Sequence, residues 1–136
     1  MRAGLPKTAA IAFTVFGRPR PQGSKRHVGH GIMIESSKAL KPWRQEVSAT
    51  ALSLGAPMFA PHVPVEVTLN FYFTRPRSAK KRKGMTVKPD ADKLVRAVFD
   101  SLKGILLHDD SHVVEIHARK DYGGPERVEI RIQEAV

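Results

Sequence analysis

The stretch Val63-Pro64-Val65-Glu66-Val67-Thr68-Leu69-Asn70-Phe71-Tyr72-Phe73 carries an apolar side chain at every second position. A period of two matches the pleat of a β-strand, so one face is buried and Glu66, Thr68, Asn70 and Tyr72 lie on the other. Pro64 lacks a backbone donor, which places it at a sheet edge or at the start of the strand. Such a strand needs a covering layer. Upstream, Leu40, Trp43, Val47, Ala51 and Leu54 recur at the spacing of one helix face between Lys38 and Leu54, and Gly55 and Pro57 end the pattern. A first turn tolerates Pro42, so the regular helix is expected from about Lys41. Downstream, Leu94, Val98 and Leu102, flanked by Val95 and Phe99, form the apolar ridge of a second helix. It runs from Asp90 or Asp92 to Lys103, with Gly104 as its stop.

Further out, Ile11, Phe13 and Val15 indicate a first short strand, and Met33 and Ile34 a second. Val114, Ile116 and Ala118 alternate with Glu115, His117 and Arg119, and Val128, Ile130 and Ile132 alternate after Gly123-Gly124-Pro125. That pattern predicts an antiparallel hairpin. The order of elements gives an α+β fold, a small single domain over residues 1–136 with a mixed or mainly antiparallel sheet and two helices. A chain of 136 residues can bury one core and is short for two. No apolar run approaches the roughly 20 residues that span a bilayer, and Met1–Ala12 lacks the long apolar segment of a signal peptide. The absence of cysteine excludes disulfides and thiolate metal sites, and the expected location is cytoplasmic.

The formal charge of +10 is unevenly placed. Residues 1–88 hold sixteen Lys/Arg and three Asp/Glu, net +13, whereas residues 89–136 hold seven and ten, net −3. The cations concentrate in two segments rich in proline and glycine, expected as exposed loops at about 17–30 and 75–88. The first carries Arg18, Arg20, Lys25 and Arg26. The second carries Arg75, Arg77, Lys80, Lys81, Arg82, Lys83 and Lys88, with no acid among them. These residues, with Lys93, are the candidate contacts to DNA phosphates; a solvated basic face is the simpler alternative. Phe16 and Tyr72 are candidates for base stacking, against packing in the core or at an edge, and Trp43 is expected to anchor the first helix.

Four carboxylates stand beside this basic surface. Asp90 and Asp92 flank Ala91 at the start of the second helix, and Asp109-Asp110 follow its end. Aspartate at a helix start caps backbone donors and complements the helix dipole, and an Asp pair also suits a turn. Two acids after a proline exceed what one cap requires. If Asp110 returns toward Asp90 and Asp92, the three form an oxygen-donor set suited to Mg²⁺, with Mn²⁺ as substitute. Arg96, four residues after Asp92, either forms an intrahelical ion pair or reaches a phosphate. His108 and His112 flank the acidic pair at a spacing that does not bring their rings together on a strand.

The run Lys88-Pro-Asp-Ala-Asp-Lys-Leu-Val-Arg-Ala-Val-Phe-Asp-Ser-Leu-Lys-Gly104, followed by Asp109-Asp-Ser-His-Val113, resembles the signature of the RusA-family Holliday-junction resolvases. The N-terminal Gly17-Arg-Pro-Arg-Pro-Gln-Gly-Ser-Lys-Arg26 and Leu40-Lys-Pro-Trp-Arg44 are similar to phage and prophage members. The resemblance implies a Mg²⁺-dependent homodimeric endodeoxyribonuclease that resolves four-way junctions by paired symmetric nicks. It also implies that Asp90, Asp92 and Asp110 bind the metal and catalyse, that Arg96 acts with them, and that Asp100 is structural. Two residues depart from the family pattern: Lys93 stands where an asparagine is usual, and Arg96 where a lysine is. Arginine neutralises phosphate charge but does not exchange protons near neutral pH. The competing readings are a non-catalytic basic DNA-binding protein and a nuclease for other branched DNA.

Overall fold

The computed structural model describes residues 10–23, 25–27, 33–35 and 38–135, the segments 25–27 and 33–35 as backbone only. β4 (Val65–Phe73) organises the fold. Val65, Val67, Leu69, Phe71 and Phe73 are each exposed by 1% or less, and the intervening polar residues are half-buried. Each such side chain contributes about 1.5–3 kcal/mol relative to an exposed one. Around β4, the strands β1 (Ala10–Phe16), β5 (Val113–Tyr122) and β6 (Arg127–Glu134) complete a mixed sheet in the order β1-β6-β4-β5. α1 (Leu40–Ser53) and α2 (Ala91–Leu102) pack against each other on its apolar face, α1 toward β1 and α2 toward β5. The result is the expected small α+β domain.

Three expectations about strands are corrected. β5 and β6 do not form a hairpin: β4 lies between them, parallel to β5 and antiparallel to β6. β4 is sealed along its buried face and pairs along both edges, so Pro64 marks the strand start and not an edge. The segment Gly123–Glu126 instead wraps the end of β4, where Gly123 N–H donates to the Phe73 carbonyl and Thr74 N–H to Glu126 Oε2. Of the apolar residues of β5, Val113 and Tyr122 pack against the core, but Val114 and Ile116 do not enter it. Val114 is 63% and Ile116 48% exposed, because β5 is the outer strand of the sheet. Finally, Lys25–His27 (β2) pairs antiparallel with Met33–Glu35 (β3), so the backbone of Lys25 and Arg26 is in a strand and not in an irregular loop. Ser24 and residues 28–30 of that expected loop lie outside the described residues.

The helices follow their sequence patterns closely. α1 begins at Leu40 and buries Leu40, Trp43, Val47 and Ala51, whereas Leu54, its C-terminal cap, is exposed. Trp43 is a core anchor at 4% exposure. α2 buries Leu94, Ala97, Val98, Phe99 and Leu102. No helix among the described residues is long and apolar enough to cross a membrane.

Candidate active site and basic surface

At its N-terminus, α2 offers two carboxylates. Asp90 occupies the N-cap position with extended backbone (φ −72°, ψ 139°), yet its side chain accepts no capping hydrogen bond. Its carbonyl takes the Leu94 N–H at 3.1 Å, so the helix starts without using the carboxylate. Asp92 lies exposed in the first turn, where the helix dipole favours negative charge. Lys93 places its ammonium 3.6 Å from Asp90 Oδ2. The lead-in to Asp90 is fixed from β5: Lys120 Nζ donates to the carbonyls of Val87 (2.6 Å) and Pro89 (2.8 Å). Sequence reading passed over Lys120. Its signal is a lysine on the strand face of Ile116 and Ala118, where an apolar residue would fit the pattern.

At the other end of α2 the two remaining carboxylates divide their work. Asp109 accepts the Ser111 N–H at 3.0 Å and caps the 3-10 turn Asp110–His112. Hydrogen bonds from Ser111, helped by Lys103, lower its pKa to about 2. This is the turn-forming role. Asp110 is the opposite case. Partial burial raises its pKa, Lys103 opposes that shift, and Asp100 and Asp109 add to it. Its Oδ1 is buried without a hydrogen-bond partner among the described residues.

Asp90 and Asp92 therefore come together with Lys93 at one end of α2, and Asp110 sits with Lys103 and Asp100 at the other. Twelve residues of α-helix separate the ends by about 18 Å at roughly 1.5 Å per residue. One chain does not gather the three acids into a single cluster. His108 is exposed, and His112 meets the His62 ring in a tilted contact, 5.1 Å between centroids, and not His108.

The basic residues also fall into two groups. Arg75 Nη1 donates to the carbonyls of Ala79 (2.6 Å) and Arg82 (2.8 Å), and its guanidinium lies over the Tyr122 ring. Arg82 bonds the Tyr122 hydroxyl. These two arginines fold the 75–88 segment, which buries Ala79 and Met85 beneath it. Arg77, Lys80, Lys81, Lys83 and Lys88 are exposed and have no polar partner among the described residues. Arg18 is held by Glu126 at 2.7 Å, and Arg20 is half-buried in a groove with Phe16 and Trp43. Phe16 itself is 62% exposed, while Tyr72 is covered by Arg127 at 4.0 Å.

A further polar group lies on the opposite sheet face from α2. Glu66 faces Glu115 across β4 and β5, and His117 bonds Glu115 and approaches Glu66 at 3.9 Å. One ligand atom from each lies within 4.8 Å of the others. The parallel pairing that brings them together cannot be read from local periodicity.

Exposed carboxylates beside cations that have no polar partner among the described residues make a surface whose charge suits a polyanion. Residues 13–133 match the family described as Endodeoxyribonuclease RusA, and the chain belongs to that family. It is also 35% identical over 139 aligned residues to the uncharacterized protein YqaN of Bacillus subtilis (strain 168), covering 91% of this chain and 96% of that protein.

Proposed function

We propose that this chain is a Mg²⁺-dependent endodeoxyribonuclease that resolves four-way DNA junctions by paired symmetric nicks, working as a homodimer in the cytoplasm. Family membership supports the nuclease activity. The observation that carries the metal site is the uncommitted state of the acids. Asp90 fills a capping position without capping, and Asp110 keeps a buried oxygen without a partner among the described residues. Hard oxygen donors of this kind suit Mg²⁺ or Mn²⁺. Asp90, Asp92 and Asp110 would hold the ion, which when bound polarises the scissile phosphate and lowers the pKa of a coordinated water. Arg96 offsets phosphate charge, Lys93 balances Asp90, and Arg77, Lys80, Lys81, Lys83 and Lys88 bind flanking backbone.

A dimer supplies what one chain separates. β5 is an outer strand of ten residues whose far edge has no strand partner among the described residues, with Val114 and Ile116 exposed and α2 beside it. Lys120 ties the α2 N-terminus to the C-terminal half of β5, whereas Asp110 directly precedes its N-terminal end. Antiparallel pairing of β5 with a second copy about a twofold axis brings Asp110 of one protomer toward Asp90 and Asp92 of the other. The pair of sites so formed matches the two equivalent phosphates of a junction. β4 is occupied on both edges, which leaves this role to β5.

Incubation with a labelled mobile junction and Mg²⁺ tests the reading. Symmetric nicks that EDTA and Asp92→Asn abolish are expected. Tight binding without cutting in Mg²⁺ or Mn²⁺ would leave a non-catalytic DNA-binding protein, and cutting confined to flaps or other branches would change the substrate.

A further inference from the structure

The N-terminal basic segment docks on α2 at the candidate site. Gln22 N–H donates to the Lys93 carbonyl at 3.0 Å, which brings Gly23 against the side chain of Arg96. A Cβ at position 23 would overlap Arg96 Nη1, and would lie 3.3 Å from Cζ and 3.6 Å from Cδ. The backbone there has φ +106°, which L side chains rarely adopt. Arg96 has no ion pair or hydrogen bond among the described residues, and Asp92, one turn earlier, does not pair with it. Among the described residues its guanidinium meets the Gly23 backbone and no acceptor.

We propose that Gly23 is a positioning residue for Arg96: the loop seats the guanidinium against its own backbone, so docking of the loop fixes the direction from which Arg96 meets a DNA phosphate. The planar guanidinium keeps its donors without a partner among the described residues, which leaves them for a phosphate. A compact lysine ammonium would not need the vacant position. The chain thus joins two departures from ordinary backbone and family pattern, a left-handed glycine and an arginine at position 96, in one contact. The inference rests on the nuclease reading for its consequence and on the contact alone for its geometry.

A double-mutant cycle with Gly23→Ala and Arg96→Lys tests it. Gly23→Ala is expected to slow single-turnover junction cutting by about 10- to 100-fold, as a misplaced group does. Its junction affinity in EDTA should stay within about twofold of wild type. In the Arg96→Lys background the same substitution should cost several-fold less, because the clash with the guanidinium is gone and only the backbone strain at φ +106° remains. Equal fold-losses in both backgrounds would overturn the proposal. A readout independent of activity is the NMR signal of Arg96 Nε–Hε in DNA-free protein, expected to shift toward the position of a mobile arginine in Gly23→Ala. An unmoved signal would also overturn it. A shifted signal in a protein that cuts no DNA would support the seating of Arg96 and refute only the nuclease reading.

Discussion

The two ends of α2 carry the same residue type and use it in different ways. At the C-terminal end the work is divided: Asp109 holds the turn through Ser111, with a pKa lowered to about 2, and Asp110 is left with a buried oxygen that has no partner among the described residues. At the N-terminal end the helix starts without help from the Asp90 carboxylate, and Asp92 stays exposed. The lesson is that position at a helix end does not by itself commit an aspartate to the backbone. Asp109 is so committed, whereas the Asp90 carboxylate caps nothing and Asp110 keeps one oxygen without a partner among the described residues.

The largest effect should come from breaking the candidate metal set. Asp90→Asn, Asp92→Asn or Asp110→Asn is expected to lower cutting by about 10²- to 10³-fold or more, as losing a group that stabilises developing charge does. Junction affinity in a gel-shift assay should be kept or increased, since less negative charge then faces the phosphates. Loss of binding by a folded variant would count against these assignments. Next in size is the exposed lysine ridge. Lys80, Lys81 and Lys83 replaced together by alanine should weaken junction binding and flatten its salt dependence by about 0.9 in log–log slope for each lost phosphate contact. An unchanged slope would show that the ridge does not contact DNA. Arg75→Ala and Arg82→Ala differ in kind: they should lower the melting temperature through the lost Tyr122 and carbonyl contacts, whatever they do to binding.

Smaller effects separate Asp109 from Asp110 by pH. The folded pKa of Asp109 is below its ordinary value of 3.8, so its contribution to stability is present above about pH 4 and is lost as pH falls toward about 2. Asp109→Asn should therefore destabilise near neutrality and flatten that acid limb in a melting-temperature series. For Asp110 the sign reverses. Burial raises its pKa, so the ionised form opposes folding at neutral pH, and Asp110→Asn should give a small rise in metal-free melting temperature there that fades in acid. A fall at neutral pH would mean that Asp110 has a protein partner after all.

β4 and α2 were legible in the sequence because their signals are local: strict alternation over 65–73, and the ridge Leu94, Val98 and Leu102. β5 was legible as a strand but not in its pairing. The same alternation that seals Val67 and Leu69 leaves Val114 and Ile116 in the open, since burial depends on which neighbour a strand finds. That choice is made by the α2 crossover and by the Gly123–Glu126 wrap around β4, both non-local. The site shows the same limit. Its residue types and the basic ridge could be read directly, but not the separation of Asp110 from Asp90 and Asp92, the commitment of Arg75 and Arg82 to folding the loop, or the meeting of Gly23 with Arg96.

Subunit mixing tests most directly whether the two ends of α2 serve one site through a dimer. Asp92→Asn and Asp110→Asn homodimers should each fail to cut. If a site takes Asp90 and Asp92 from one protomer and Asp110 from the other, a mixed dimer holds one doubly broken site and one intact site. Co-refolded mixtures should then regain single nicks in a labelled junction. A mixture that forms heterodimers yet stays as inactive as its parents would contradict the shared site.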